Sequence, residues 1–185
     1  MKNIKIIAMV VALLAAGGIT YYDLEKDMPV HPTKTYRIRS IDKPLNIYLH
    51  HTAIEGDTII REGNESFIYD KKNLQRIAKY HIKGHNWAGI AYHFAINKNG
   101  DVYQLNDLTT LSYHTKNKNT LGIGIVFLGN YETKPLPLKA VKAGEVLIDA
   151  LCQTLDIKSV KLHKQVVNTL CPGKYASEEL QYLLF

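Results

Sequence analysis

The sequence has no internal repeats, no low-complexity segment and no uninterrupted apolar run of the ~20 residues that a secure membrane helix needs. An uncharged apolar run near the N-terminus covers residues 6–19, which is 14 residues. No cysteine follows this run, so a lipoprotein anchor is not supported. With 46% hydrophobic and 22% charged residues, the composition also argues against a wholly disordered chain.

The N-terminus nevertheless has the layout of an export signal. Lys2 and Lys5 flank its start, and small residues at 15–17 offer sites for a signal peptidase. We expect residues 1–22 to be a cleaved signal peptide, with an uncleaved signal anchor and a buried helix as alternatives. Either of the first two exports the chain to the periplasm or cell envelope. Charges and two prolines predict a linker at residues 23–34, before one domain at residues 35–185.

The chain is basic, with a formal net charge of +6. Removal of residues 1–20 takes away two lysines and no acid, so an exported product keeps +4. A basic exported domain favours anionic polymers such as the cell wall. Export makes nucleic acid a poor candidate, and we expect membrane contact only through an N-terminal anchor. We also expect a monomer.

Hydrophobic periodicity predicts strands that alternate with helices. Apolar or alternating runs predict strands at residues 35–40, 45–50, 121–131 and 159–163. Helical spacing predicts helices at 66–81, 137–155 and 177–185, the last with Ser177 as its N-cap. Asn99-Gly100 between two alternating runs is a strong hairpin signal. These elements predict an α/β domain with a central mixed β-sheet flanked by helices.

The histidines and cysteines are the candidates for chemistry. His163 and Cys171 lie eight residues apart and can meet if the chain between them loops back, which Pro172-Gly173 would favour. A catalytic zinc ion takes three protein ligands, and His50 or His51 at a strand end is the natural third. The spacing alone leaves open a solvated His163 and a buried Cys171.

Four ordered blocks carry a resemblance to a known family. "IYLHHTA", "WAGIAYHFAINKNGDVYQ", "LGIGIVFLGNY" and "LHKQVVNTLCPG" resemble the type 2 N-acetylmuramoyl-L-alanine amidases, a family that includes phage lysozyme-like amidases and animal peptidoglycan recognition proteins. The resemblance covers residues 38–175, and it implies a zinc amidase domain at 35–185 with that family's mixed-sheet fold.

The resemblance implies the roles of particular residues. It places zinc ligands at His50, His163 and Cys171; His51 would face the opposite side of its strand. It makes Tyr92 a catalytic residue facing the metal. Thr169 matches the threonine of active recognition proteins, where the phage branch has lysine. Because threonine is no base at neutral pH, its role would be to form hydrogen bonds.

The implied reaction is hydrolysis of the amide between the lactyl group of N-acetylmuramic acid and the first alanine of the stem peptide. Zinc would supply an activated water, and Tyr92 or Thr169 would help to stabilise the oxyanion. No carboxylate stands out as a general base, and Glu55 and Asp57 are read as a solvated loop. Peptidoglycan or muropeptides would be the partner, contacted by a groove that includes His81, His85, Trp87, His114 and Asn119.

Two other readings stay open. Many relatives recognise peptidoglycan without cleaving it, so the chain can be a non-catalytic binding module. Alternatively, Cys171 can be a nucleophile with His163 as its base. A disulfide between Cys152 and Cys171 would remove the thiolate ligand; we expect Cys152 instead to be a buried small hydrophobe.

Overall fold

A computed structural model describes residues 2–54 and 63–185 of the chain. Within them the helices are α1 (Lys2–Ala16), α2 (Gly63–His85), α3 (Leu138–Thr154) and α4 (Lys174–Glu179). The strands are β1 (Tyr21–Asp23), β2 (Leu45–His51), β3 (Phe94–Ile96), β4 (Val102–Gln104), β5 (Gly122–Phe127) and β6 (Ile157–Leu162). Short 3-10 helices cover Glu25–Asp27, Asn119–Leu121, His163–Gln165 and Gln181–Leu183.

The six strands form one mixed sheet in the order β1-β4-β3-β5-β2-β6. β3 and β4 pair antiparallel as a hairpin, whereas β5 pairs in parallel with β3 and β2, and β2 pairs in parallel with β6. The central strands β2 and β5 are buried on both faces, which explains why their sequences are nearly continuous apolar runs. The predicted α/β fold with a central mixed sheet is confirmed.

Two hydrophobic cores cover the two faces of the sheet. The larger one packs α1, α3 and the C-terminal helices against Ile47, Leu49 and Ile125. The smaller one packs Leu74, Ile77 and Ala78 of α2 on the other face. β2 points Leu45, Ile47 and Leu49 into the larger core. His50 lies on the opposite face, beside its strand partner Val126 of the smaller core.

Two predicted elements differ in the structure. Residues 35–40 form no named strand and contribute only a bridge between Ile38 and Thr110. Ile38 is exposed and Arg39 is buried, the reverse of what an apolar-in edge strand requires, because the Arg39 guanidinium donates to the carbonyl oxygens of Leu108, Asn119 and Thr120.

The C-terminal helix begins earlier than predicted. Gly173, with φ of 96°, is the N-cap of α4. Ser177 lies inside the helix rather than at its start, and its hydroxyl donates to the Gly173 carbonyl. A serine hydroxyl inside a helix can donate to the carbonyl one turn earlier, so the presence of a serine alone does not mark a helix start.

The N-terminal segment is packed onto the domain. Val10 and Leu14 of α1 are fully buried, and β1 pairs in parallel with β4. Leu24 and Met28, which lie in the predicted linker, belong to the smaller core. Cleavage of residues 1–22 stays a prediction. Among the described residues no helix is both long and apolar enough to cross a membrane.

Candidate metal centre

Two neighbouring parallel strands bring two histidines together. In the pairing of β2 with β6, Leu49 lies opposite Leu162. His50 and His163, the residues that follow this pair in sequence, therefore lie at the same carboxyl edge of the sheet. Their ring centroids are 4.4 Å apart. Strand register, which the spacing of the two residues does not reveal, explains how they meet.

A closed loop returns Cys171 to the same point. The Lys164 N–H donates to the Cys171 carbonyl at 2.9 Å, and the Cys171 N–H donates to Thr169 Oγ1 at 3.3 Å. Cys171 Sγ accepts a hydrogen bond from the His51 N–H at 3.4 Å and lies 3.8 Å from His50 Nδ1. The loop-back expected between His163 and Cys171 is present.

These three side chains fit a zinc ion. Their ligand atoms all lie within 4.8 Å of one another. A tetrahedral zinc with ~2.3 Å to sulfur and ~2.0 Å to nitrogen separates those ligands by about 3.5 Å, close to the 3.8 Å between Cys171 and His50. His163 Nδ1 is buried and has no hydrogen-bond partner in the described part of the chain. A buried polar atom left in this state is costly unless it binds something.

Burial sets the protonation of this group. Desolvation lowers the pKa of His50 and of His163, which keeps both rings neutral with a lone pair available. Desolvation also raises the pKa of Cys171 to about 11, against the opposing His51 N–H. A thiolate at neutral pH therefore needs a nearby cation, so the site suits a metal better than a free cysteine nucleophile.

His51 and Tyr92 lie on opposite faces of the sheet. The His51 ring lies on the opposite face, where Nδ1 accepts a hydrogen bond from the Tyr131 N–H at 3.2 Å. Tyr92 lies on the site's own side, with its ring centroid 5.4 Å from that of His50. Burial raises the pKa of Tyr92 above its ordinary value, so the phenol keeps its proton.

Three of the predicted substrate-binding residues form one aromatic cluster beside Tyr92. His81 lies 5.8 Å from the Tyr92 ring and 5.2 Å from the Trp87 ring, and His85 stacks on Trp87 at 4.5 Å. The Ala91 N–H donates to His81 Nδ1 at 3.2 Å. A cavity of about 670 Å³ is lined by both His81 and Tyr92. Substrate contact by these residues stays a prediction.

The other two predicted groove residues lie elsewhere. His114 is buried, with 6% of its surface exposed, and both of its ring nitrogens have partners inside the protein. Asn119 Oδ1 accepts the Thr115 N–H at 2.7 Å, which braces the loop that carries His114. Packing places the His114 ring against that of His50, with centroids 5.3 Å apart, and substrate contact by His114 stays a prediction.

The remaining sequence candidates give a mixed outcome. Cys152 and Cys171 are both free thiols, so the disulfide alternative is wrong for this structure. Glu55 and Asp57 lie outside the described residues. Thr115 was not among the predicted site residues, but its hydroxyl lies 3.4 Å from His50 Nε2. Gly122 and Gly124 of β5 were the available sequence signal of close packing here, because a glycine inside a strand often marks a close approach, but they do not identify the neighbour.

Comparison with known proteins identifies the family. The family model described as N-acetylmuramoyl-L-alanine amidase matches residues 41–174, which is most of the chain. The chain belongs to this amidase family. All three candidate ligands lie within the matched region, as do Tyr92 and Thr169. The resemblance read from the four sequence blocks is confirmed.

Members of the amidase family that recognise peptidoglycan are among its relatives. The chain is 36% identical over 111 residues to peptidoglycan-recognition protein SC2 of Drosophila melanogaster, a match that spans 58% of this chain and 60% of that protein. Bumblebee PGRP-SA has the same fold, with a TM-score of 0.74, 23% identity, and coverage of 88% of this chain and 94% of its own. An endolysin amidase, LysCS from Clostridium intestinale, matches with a TM-score of 0.64, 26% identity, and coverage of 84% and 96%.

Proposed function

We propose that the chain is a zinc-dependent N-acetylmuramoyl-L-alanine amidase, which cuts the amide between the lactyl group of N-acetylmuramic acid and the L-alanine of the stem peptide. The convergence of His50, His163 and Cys171, with an unpartnered His163 Nδ1 in the described chain, carries this proposal. When bound there, zinc supplies Lewis-acid activation of the scissile carbonyl and of a water molecule, whose pKa falls to ~7. Peptidoglycan or its muropeptides are the substrate.

The chain's own groups supply the rest of the chemistry. The neutral His50 and His163 rings keep lone pairs available for the cation. The Tyr92 hydroxyl keeps its proton, so it can donate a hydrogen bond to the oxygen on which negative charge develops. Thr169 Oγ1 accepts the backbone N–H of Cys171, while its own hydroxyl proton remains available to a substrate oxygen.

A binding module without catalysis is the second candidate. It is favoured by the similarity to peptidoglycan-recognition protein SC2. The complete set of two imidazoles and one thiol weighs toward cleavage, because binding alone does not need a buried group that suits a cation. The basic charge favours an anionic polymer such as the cell wall as partner. The apolar N-terminus supports export to the periplasm or cell envelope.

The test combines metal content with product analysis. Purified, reduced protein should contain about one zinc per chain, and mass spectrometry of digested sacculi should detect free stem peptides that begin with L-alanine. Cys171→Ala and His163→Ala should each lose the metal and the activity. Cys152→Ala is the matched control, since Cys152 lies in α3, away from the candidate ligands, and should retain both.

Each result decides between the candidates. Tight binding to sacculi without peptide release would establish the module instead. Activity that survives chelation of the metal but not alkylation of Cys171 would establish a cysteine hydrolase. Stoichiometric zinc in Cys171→Ala protein would overturn the ligand assignment.

A further inference from the structure

Another buried histidine, His114, lies directly beside the candidate ligand His50. The rings of His114 and His50 are nearly perpendicular, at 83°, with centroids 5.3 Å apart. Glycines in β5 make room for this arrangement. A Cβ on Gly124 would lie 2.6 Å from His114 Cγ, and one on Gly122 would lie 3.0 Å from His114 Cε1. Any larger residue at position 124 would push the His114 ring out of place.

The surroundings of His114 fix which of its nitrogens carries the proton. Nε2 lies 3.2 Å from the Gly122 carbonyl oxygen, which can only accept a hydrogen bond. Nε2 therefore carries the hydrogen. In a neutral imidazole the other nitrogen, Nδ1, is then an acceptor.

That acceptor faces the ligand histidine. His114 Nδ1 lies 3.2 Å from His50 Nε2 and 2.9 Å from Thr115 Oγ1. Thr115 Oγ1 is itself 3.4 Å from His50 Nε2. Both neighbours offer lone pairs to His50 Nε2, so this nitrogen carries the hydrogen. His50 Nδ1, 3.8 Å from Cys171 Sγ, is left with its lone pair free.

We propose that His114 is a positioning residue that holds His50 in the tautomer whose Nδ1 is free to bind a cation. The Gly122 carbonyl sets the His114 tautomer, and His114 in turn sets that of His50. Metal-binding histidines commonly donate their other nitrogen to a fixed acceptor, and loss of that acceptor typically lowers metal affinity ~10–100-fold. The inference rests on the proposed metal centre, but it concerns a state of His50 that exists before any cation binds.

The first experiment measures the tautomer in the zinc-free full-length chain. Long-range ¹H–¹⁵N spectra of the imidazoles distinguish a protonated ring nitrogen from a bare one. Wild-type protein should show His50 with hydrogen on Nε2 and a bare Nδ1. In His114→Phe, which removes the acceptor, the preference should be lost, whereas His114→Asn places an amide oxygen near the position of Nδ1 and should keep it. A wild-type His50 with hydrogen on Nδ1 would overturn the proposal.

The second experiment measures zinc affinity by competition with a chromophoric chelator. His114→Phe should bind zinc ~10–100-fold more weakly than wild type, and His114→Asn should recover most of the loss. Ser112→Ala is the control for a lost buried hydrogen bond, since Ser112 Oγ contacts His93 rather than His50. Wild-type affinity in folded His114→Phe protein would refute the positioning role.

The two proposals fail in different ways. A wild-type chain that binds no zinc overturns the proposed amidase, whereas the tautomer spectra need no metal and still test His114. If His114→Phe does not fold, as judged by circular dichroism, the wild-type and His114→Asn spectra decide the question.

Discussion

Tyr92 shows at the scale of one residue how burial suits a group to the role proposed for it. Its ring lies between His50 and the aromatic cluster of His81 and Trp87. Burial raises its pKa, so the hydroxyl is a donor throughout the neutral range rather than a mixture of donor and anion. A hydrogen-bond donor of fixed protonation is what a developing oxyanion requires.

Tyr92→Phe should therefore separate metal binding from turnover. We expect zinc content to stay at the wild-type level, because the phenol is not among the three candidate ligands. The value of kcat on soluble muropeptides should fall about 10²-fold, the typical loss for one oxyanion donor. Zinc analysis and steady-state kinetics on the same preparation provide the check. Unchanged kcat would remove Tyr92 from the mechanism, and lost zinc would make its role structural.

The sequence predicted which chemical groups come together at the site, but it did not predict how deeply His114 is buried. The resemblance named His50, His163 and Cys171; register between β2 and β6 brings the two histidines together, and a closed loop returns Cys171 to them. His114 was assigned to a groove because its type and position resemble groove histidines. Its burial depends on two glycines in a different strand and on the loop braced by Asn119, and no local pattern encodes that packing.

A buried polar hub joins helix α2 to the β3–β4 hairpin at the scale of elements. Asp70 Oδ2, from α2, accepts hydrogen bonds from Asn97 Nδ2 at 2.7 Å and from the Tyr103 hydroxyl at 2.8 Å. The Asn97 side chain also accepts the Asp101 N–H at 2.8 Å, which closes the hairpin loop. The Asn-Gly signal predicted this hairpin correctly, but the helix residue that anchors it was not visible in the sequence.

Asp70 makes the stability of this junction depend on pH. Desolvation raises its pKa above the ordinary 3.8, more than the hydrogen bonds from Asn97 and Tyr103 lower it. The folded state therefore holds this proton more tightly than the unfolded chain. The contribution of Asp70 to stability is full below pH 3.8 and is lost as the pH rises through the higher pKa of the folded state.

Asp70→Asn should remove that dependence while keeping an acceptor oxygen for Asn97. We expect the free energy of unfolding of the variant, relative to wild type, to increase as the pH is raised from acid toward neutrality. Urea unfolding across this range measures the difference. Ser159→Ala, which loses a non-ionisable hydrogen bond to Asn46, should differ from wild type by a constant amount. A constant difference for Asp70→Asn would contradict the assigned cause.

At the scale of the whole molecule, the sequence predicted the strands that are buried on both faces well, whereas residues 35–40 form a single bridge instead of the predicted strand. β2 and β5 and the long helix α3 lie close to their predicted positions. Residues 1–22 were assigned to an export segment from their basic, apolar and small residues, and residues 23–34 to a linker from their charges and prolines. In the structure Leu14 and Leu24 are buried in the two different cores, a relation that only tertiary packing creates.

Helix α1 offers a direct test of whether the N-terminal segment stabilises the folded domain. Leu14 is fully buried against the larger core, and the Val146 side chain of α3 lies against Gly17, just after the helix. Leu14→Ala in the full-length chain should lower the free energy of unfolding by ~2–5 kcal/mol, the usual result of truncating a buried leucine. Met9, on the same helix and 49% exposed, gives the matched control, since Met9→Ala should change stability by less than about 0.5 kcal/mol.

Urea unfolding, followed by circular dichroism on chains whose N-terminus is verified by mass spectrometry, measures both variants. Equal stability of Leu14→Ala and Met9→Ala would mean that α1 contributes nothing to the domain. Residues 2–16 would then act as an export segment alone, and α3 would hold the larger core without them. A selective loss in Leu14→Ala would instead make α1 part of the folded unit, and removal of residues 1–22 would cost the exported domain the same packing.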